Sequence, residues 1–162
     1  MNNCLNRLLL TVFLVPISGC SNHEQQAADD MTLRDFEQLV INDYIEPYKT
    51  GDTERWMEIF ADDAVGMHNT LPALEGKQAI RKFAEVVHST FDIEQLDVTV
   101  DSVIREGDWA LTRGNFTASF ILKGGDAEIP PEPRQGKYVL LWERQSDGAW
   151  KVILDMGNNN SP

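Results

Sequence analysis

Apolar residues recur along this chain in three successive patterns. From Leu8 to Ile17 they run almost without interruption and stop at Ser18-Gly19-Cys20. From Leu33 to Phe60, and again from Ile80 to Val87, they return every three or four positions, the spacing of one helix face. After Phe91 the period falls to two. Leu96, Val98 and Val100 alternate with Asp97, Thr99 and Asp101, and the same alternation runs from Ala110 to Leu122, through Tyr138, Leu140 and Trp142, and from Trp150 to Met156. The pattern predicts helices first and long strands afterwards.

Local signals set the boundaries. Thr32 with Asp35 resembles a capping box and opens the first helix, whose stripe is Phe36, Val40, Tyr44 and Tyr48. Pro47 denies a hydrogen bond to the carbonyl four residues back, so it is expected to kink this helix or loosen its last turn. Gly51 ends the helix and Asp52 caps a second, carrying Trp56, Ile59 and Phe60. A short strand is predicted from Asp62 to about His68, with Asp62 and Asp63 capping a helix end or turn. A loop holding Pro72 and a third helix after Gly76 follow. Gly107-Asp108 and Asp147-Gly148 predict tight turns, and the stretch from Lys123 to Gly136 a long connection. This is an α+β plan: three helices against one face of an antiparallel sheet. A sheet curled into a cone around the helices fits the pattern, and so does a flat two-layer sandwich.

The first apolar run changes the picture of where the domain works. Arg7 precedes it and small residues with a cysteine end it, which is the layout of a signal peptide and too short for a membrane span. Ile17-Ser18-Gly19-Cys20 resembles the lipobox of bacterial lipoproteins. That resemblance implies cleavage after residue 19, a lipid on Cys20 and a membrane anchor in the cell envelope; Ser21 after the cysteine favours the outer membrane where there are two. Residues 20–30 are then the lipidated cysteine and a polar tether, with His23 solvated, 31–158 the folded domain and 159–162 a tail. Cys4 leaves with the signal, so the mature domain has no thiol pair, and disulfide, redox and zinc-thiolate roles fall away. All 26 acidic residues follow Cys20 and the net charge is −12. Such a surface disfavours nucleic acid and leaves membrane contact to the acyl chains.

Taken in order, Gly51-Asp52, Trp56, Phe60-Ala61-Asp62-Asp63-Ala64, Leu74-Glu75-Gly76-Lys77, Ala79-Ile80-Arg81 and Asp147-Gly148-x-Trp150-Lys151-Val152 resemble the nuclear-transport-factor-2-like superfamily. The similar branches are the SnoaL-like and ketosteroid-isomerase-like domains. The resemblance implies a cone-shaped α+β fold that hosts isomerases, dehydratases and plain binding or assembly domains. Counted from Asp52 without gaps, the oxyanion-hole tyrosine of ketosteroid isomerase falls on Tyr44 and its general base on His68. The position of its protonated acid falls near Gly136 or Lys137, where there is no carboxyl group.

Proton abstraction beside a carbonyl needs a base near the carbon and a donor at the developing oxyanion. His68 and Tyr44 are the candidates for these two roles. Tyr48, Trp56, Phe60, Phe116, Phe120, Trp142 and Asp155 are expected to line the pocket. Alternation alone turns Asp155 outward if Leu154 and Met156 face the core, where it would serve as a surface salt-bridge partner. His88, ending the third helix, is placed to act as a cation on that terminus. No metal-ligand spacing, phosphate loop or nucleophile elbow is present, so no metal and no cofactor are expected. Three readings remain: a lipid-anchored protein binding a small apolar ligand, a cofactor-independent isomerase or dehydratase, and a homodimerising assembly module.

Overall fold

The computed structural model describes residues 31–69, 71–125 and 133–160. The expected signal peptide, Cys20, the expected tether and His23 lie outside the described residues. Helix α1 (Leu33–Gln38) opens as expected, with the Asp35 carboxylate accepting from the Thr32 amide (2.6 Å) and hydroxyl (2.8 Å). A π-helical segment follows (Leu39–Ile45), then α2 (Glu46–Thr50). The disturbance that Pro47 causes lies ahead of it rather than in the last turn. Glu46 N–H reaches back to the Ile41 carbonyl, so the chain is over-wide where Tyr44 sits. Gly51 takes a left-handed φ of 76° and Asp52 N–H returns to the Pro47 carbonyl (2.8 Å), which closes α2. Asp52 then caps α3 (Thr53–Glu58) by accepting from Arg55 N–H.

Strand β1 (Phe60–His68) starts earlier than predicted, and β2 (Leu74–Glu75) occupies part of the expected loop. Asp62 and Asp63 are exposed within the irregular part of β1 and cap nothing. Helix α4 (Lys77–Thr90) runs directly into β3 (Phe91–Glu106), followed by β4 (Trp109–Leu122), β5 (Arg134–Arg144) and β6 (Trp150–Asn159). The last strand reaches one residue beyond the predicted end of the domain.

The six strands form one sheet in the order β2-β1-β6-β5-β4-β3. All pairs are antiparallel except β1 with β6, a parallel pairing absent from the sequence reading. Register shifts at Ile93/Gln95 and Val100/Ser102 in β3, and between Val152 and Leu154 in β6, bend the strands. The sheet is therefore curved around the helices, as a cone rather than a flat sandwich. Gly114 permits the sharpest approach: a Cβ there would stand 1.7 Å from the Thr99 carbonyl oxygen.

One end of the concave face is filled. Phe36 sets its ring edge-on to Trp142 (5.9 Å) and Trp150 (5.1 Å), and Leu140, Val152 and Ile80 close around them with no exposure. Trp142 Nε1–H donates to the Thr112 hydroxyl (3.0 Å), which satisfies two buried polar groups at once.

Candidate functional site

The other end of the concave face is open. A cavity of about 390 Å³ lies between the π segment, α4 and the inner faces of β3 to β6, near the lower bound of roughly 300–1,000 Å³ for small-molecule sites. Its walls are mainly aromatic and aliphatic. Tyr48, Trp56, Phe116, Phe120 and Asp155 line it as expected, together with Tyr44 and His68. Phe60 and Trp142 do not. Both are almost completely buried in the packed end, Phe60 against Trp56 (4.7 Å) and Trp142 against Phe36, because their strand positions precede the opening.

Asp155 is where the alternation argument fails. Trp142 pairs with Val152 and Leu141 with Leu154, so Ile153 is an extra residue in β6. Trp150 and Val152 face inward before this bulge, and the bulge reverses the alternation after it. Asp155 then faces inward with 1% exposure, while Met156 is exposed. The Tyr44 hydroxyl donates to Asp155 Oδ2 (2.7 Å). Its hydrogen is committed to that carboxyl and does not point to a substrate oxygen as the sequence comparison implied. Burial raises the Asp155 carboxyl above its ordinary range, partly offset by the nearby His68 and by the Tyr44 hydrogen bond. Burial, and then the charge of Asp155, push the Tyr44 hydroxyl well above its ordinary range, so it stays protonated.

His68 comes from the adjoining strand. Gly66 pairs with Asp155 and His68 with Gly157, in parallel register. Two glycines thus share the inner face with the two titratable groups and leave the imidazole room. A side chain at Gly66 would press to within 3.4 Å of His68 Nε2. That Nε2 stands 3.8 Å from Asp155 Oδ2, and the ring stacks on Phe83 at 5.1 Å. His68 Nε2 and Trp56 Nε1 are buried without a hydrogen-bond partner, and both residues line the cavity. Unpaired buried polar atoms are costly, and two at one cavity mark a place where a polar ligand atom is favoured.

His88 takes no part in the cavity. Its Nε2–H donates to the Tyr48 carbonyl (2.8 Å), which requires Nδ1 to accept from the Thr53 hydroxyl (2.9 Å) in the neutral ring. Burial lowers its pKa. It is a neutral staple between α4 and the turn after α2, rather than a cation at a helix end. Among the described residues, no group of three or more His, Cys, Asp or Glu is placed to hold a metal ion.

The reading from sequence brought Tyr44 and His68 together correctly in space, but it left out Gly66, Gly157, Phe83 and Tyr138. Phe83 carried a signal in its helical spacing. The glycines carried none, since the need for their bareness arises only from the pairing of β1 with β6.

The fold recurs among solved structures. A ketosteroid isomerase-like protein from Erwinia carotovora atroseptica superposes with a TM-score of 0.69 at 20% identity, covering 86% of this chain and 99% of its own. A nuclear transport factor 2-like superfamily protein from Salmonella enterica serovar Typhimurium gives 0.66 at 11% identity over 85% and 94%. A nuclear transport factor 2-like protein from Cytophaga hutchinsonii gives 0.64 at 14% over 80% and 99%. No curated protein matches. The SnoaL-like domain model matches residues 41–153, most of the folded unit, and the chain belongs to that family.

Proposed function

We propose that the cavity binds a small, mainly apolar molecule and that Asp155 moves a proton on it without a cofactor. The observation that carries this reading is a carboxyl group buried at the wall of an open apolar cavity, held by Tyr44 and faced by His68. A carboxylate whose pKa is raised is a better base and is suited to returning the proton afterwards. Tyr44 engages Oδ2, which leaves Oδ1 for the substrate. The base is thus Asp155, and His68 Nε2 stands 3.8 Å from its Oδ2 at the same wall. In an isomerisation, Asp155 takes a proton from the carbon next to a carbonyl and delivers it to a second carbon of the resulting enolate. A dehydratase would use the same abstraction, with Asp155 handing the abstracted proton to the departing β-hydroxyl so that it leaves as water. A test that requires no known substrate is deuterium incorporation into a panel of cyclic ketones in D2O, followed by NMR. Catalysed exchange next to the carbonyl is expected, and no exchange across the panel overturns the reading.

The convex face favours a homodimer. Val65, Leu154, Leu141, Leu111 and Ile104 are successive register partners and form one apolar rung across five strands. Met67 and Met156 pair beside it, each more than 40% exposed. No described element covers this row, and a second copy placed by a two-fold axis would match it with itself. Leu141→Glu is expected to convert a dimer to a monomer in sedimentation equilibrium. A wild-type monomer at micromolar concentration sinks the idea.

The proposal keeps the domain outside the cytoplasm on a lipid at Cys20, on the strength of the lipobox resemblance. Cys20→Ser is expected to move the protein from the membrane to the soluble fraction. Unchanged partition refutes the anchor.

A further inference from the structure

We infer that the ligand of this cavity is an elongated apolar molecule bearing a carboxylate, bound with that group at the mouth beside Arg134. The inference rests on the proposed use of the cavity and names the class of molecule it takes. Inward-facing positions of β5 are Arg134, Gly136, Tyr138 and Leu140, and those of β6 after the bulge are Asp155, Gly157 and Asn159. Leu140 is the register partner of Asp155. Arg134 lies six residues back along the same strand, about 20 Å of strand at roughly 3.3 Å per residue. The two ends of the cavity are thus far apart, and they differ in chemistry.

Among the described lining residues Arg134 is the one Lys or Arg, and Asp155 the one Asp or Glu. Arg134 lies over the Phe120 ring at 5.8 Å, which holds its guanidinium at the rim, and Asn158 and Asn159 supply amide groups there. At the inner end an anion would meet buried Asp155 and be repelled, whereas the unpaired Trp56 N–H suits a neutral oxygen. The walls between are Phe116, Ala118, Val98 and Leu96, with Tyr138, whose hydroxyl donates to the Thr99 carbonyl (3.0 Å). Gly136 keeps this passage wide: a Cβ there would stand 2.2 Å from the Phe116 ring, so a side chain would drive that ring out of place. A molecule matched to such a passage has a charged head outside, an apolar body, and a neutral oxygen at the far end. The chain carries a net charge of −12, so its overall field does not favour anions, and any preference for one reports the local guanidinium.

The test compares decanoate with 1-decanol on the purified protein by calorimetry, below the concentration at which either aggregates. Decanoate is expected to bind about tenfold more tightly than decanol, the ratio that one charge-assisted hydrogen bond supplies at a partly solvated site. Arg134→Gln should remove the preference by weakening decanoate alone, and Arg134→Lys should retain part of it. Equal affinities in the wild type, or a preference that survives Arg134→Gln, overturn the inference and leave the cavity reading intact. Failure of both probes to bind also overturns it. The deuterium-exchange assay then decides separately whether the proposed chemistry falls too.

Discussion

Asp155→Asn is expected to lower the rate of deuterium exchange by about 10²–10⁴-fold, the usual contribution of a positioned acid or base, while making the folded protein more stable at neutral pH. Asparagine keeps an oxygen to accept from the Tyr44 hydroxyl and nearly the same volume, so the packing around β6 has no reason to change. What disappears is the titration. The folded-state pKa of Asp155 lies above its unfolded value. As pH rises through the interval between the two, the unfolded chain releases this proton and the folded chain still holds it. Stability therefore falls across that interval, and above it the native state carries an ionised carboxylate out of water. The variant escapes this loss. Its advantage in melting temperature should be greatest above the folded pKa and should vanish below the ordinary carboxylate value of 3.8. Melting temperatures of the two proteins, measured in parallel from acid to neutral pH, give the difference directly. A variant that is inactive but no more stable at neutral pH would mean that Asp155 is a well-solvated ligand contact, and the proton-transfer reading would lose its basis. Such opposition between stability and activity is common where a site holds an unfavourably placed group.

The second large effect separates the packed end of the cone from the open end. Trp142→Ala is expected to cost about 3–5 kcal/mol, the range for deleting a fully buried aromatic side chain. It removes the contact with Phe36 and takes from the buried Thr112 hydroxyl the indole N–H that it accepts from. Against a total stability of roughly 5–15 kcal/mol, that loss brings the domain close to unfolding. Phe116→Ala should cost only about 1–2 kcal/mol, because the ring is half-buried at the cavity wall and its loss enlarges a space that is already open. Urea denaturation of both variants reads the two costs on one scale. Similar costs would mean that Phe116 belongs to the core and that the cavity is smaller than drawn. Decanoate affinity should follow the opposite order, with Phe116→Ala changing it and the residual folded Trp142→Ala leaving it alone.

Much of this architecture was legible residue by residue. Tyr44, Tyr48 and Trp56 announced themselves through helical spacing, and Gly51 and Asp52 through the chemistry of helix ends, because both signals are local and depend on no partner. Inward alternation along β4, from Ala110 to Phe120, held for the same reason. Pro47 was read correctly as a disturbance, but its effect appeared upstream as a π segment, since the hydrogen bond it cannot donate would run to the preceding turn. The pairing of β1 with β6 was not legible, for a parallel contact between the first strand and the last leaves no trace in the spacing of either.

The order of the apolar periods was enough to put helices before long strands, the resemblance put Tyr44 and His68 at one cavity, and the described residues contain no cysteine. The chemistry of that site came from how the strands pair. Ile153 becomes an extra residue because β6 must match β5 on one side and β1 on the other, and a single extra residue turns every later side chain to the opposite face. That requirement, set by two neighbouring strands rather than by the residues around Asp155, carries its carboxyl from solvent to the wall of the cavity.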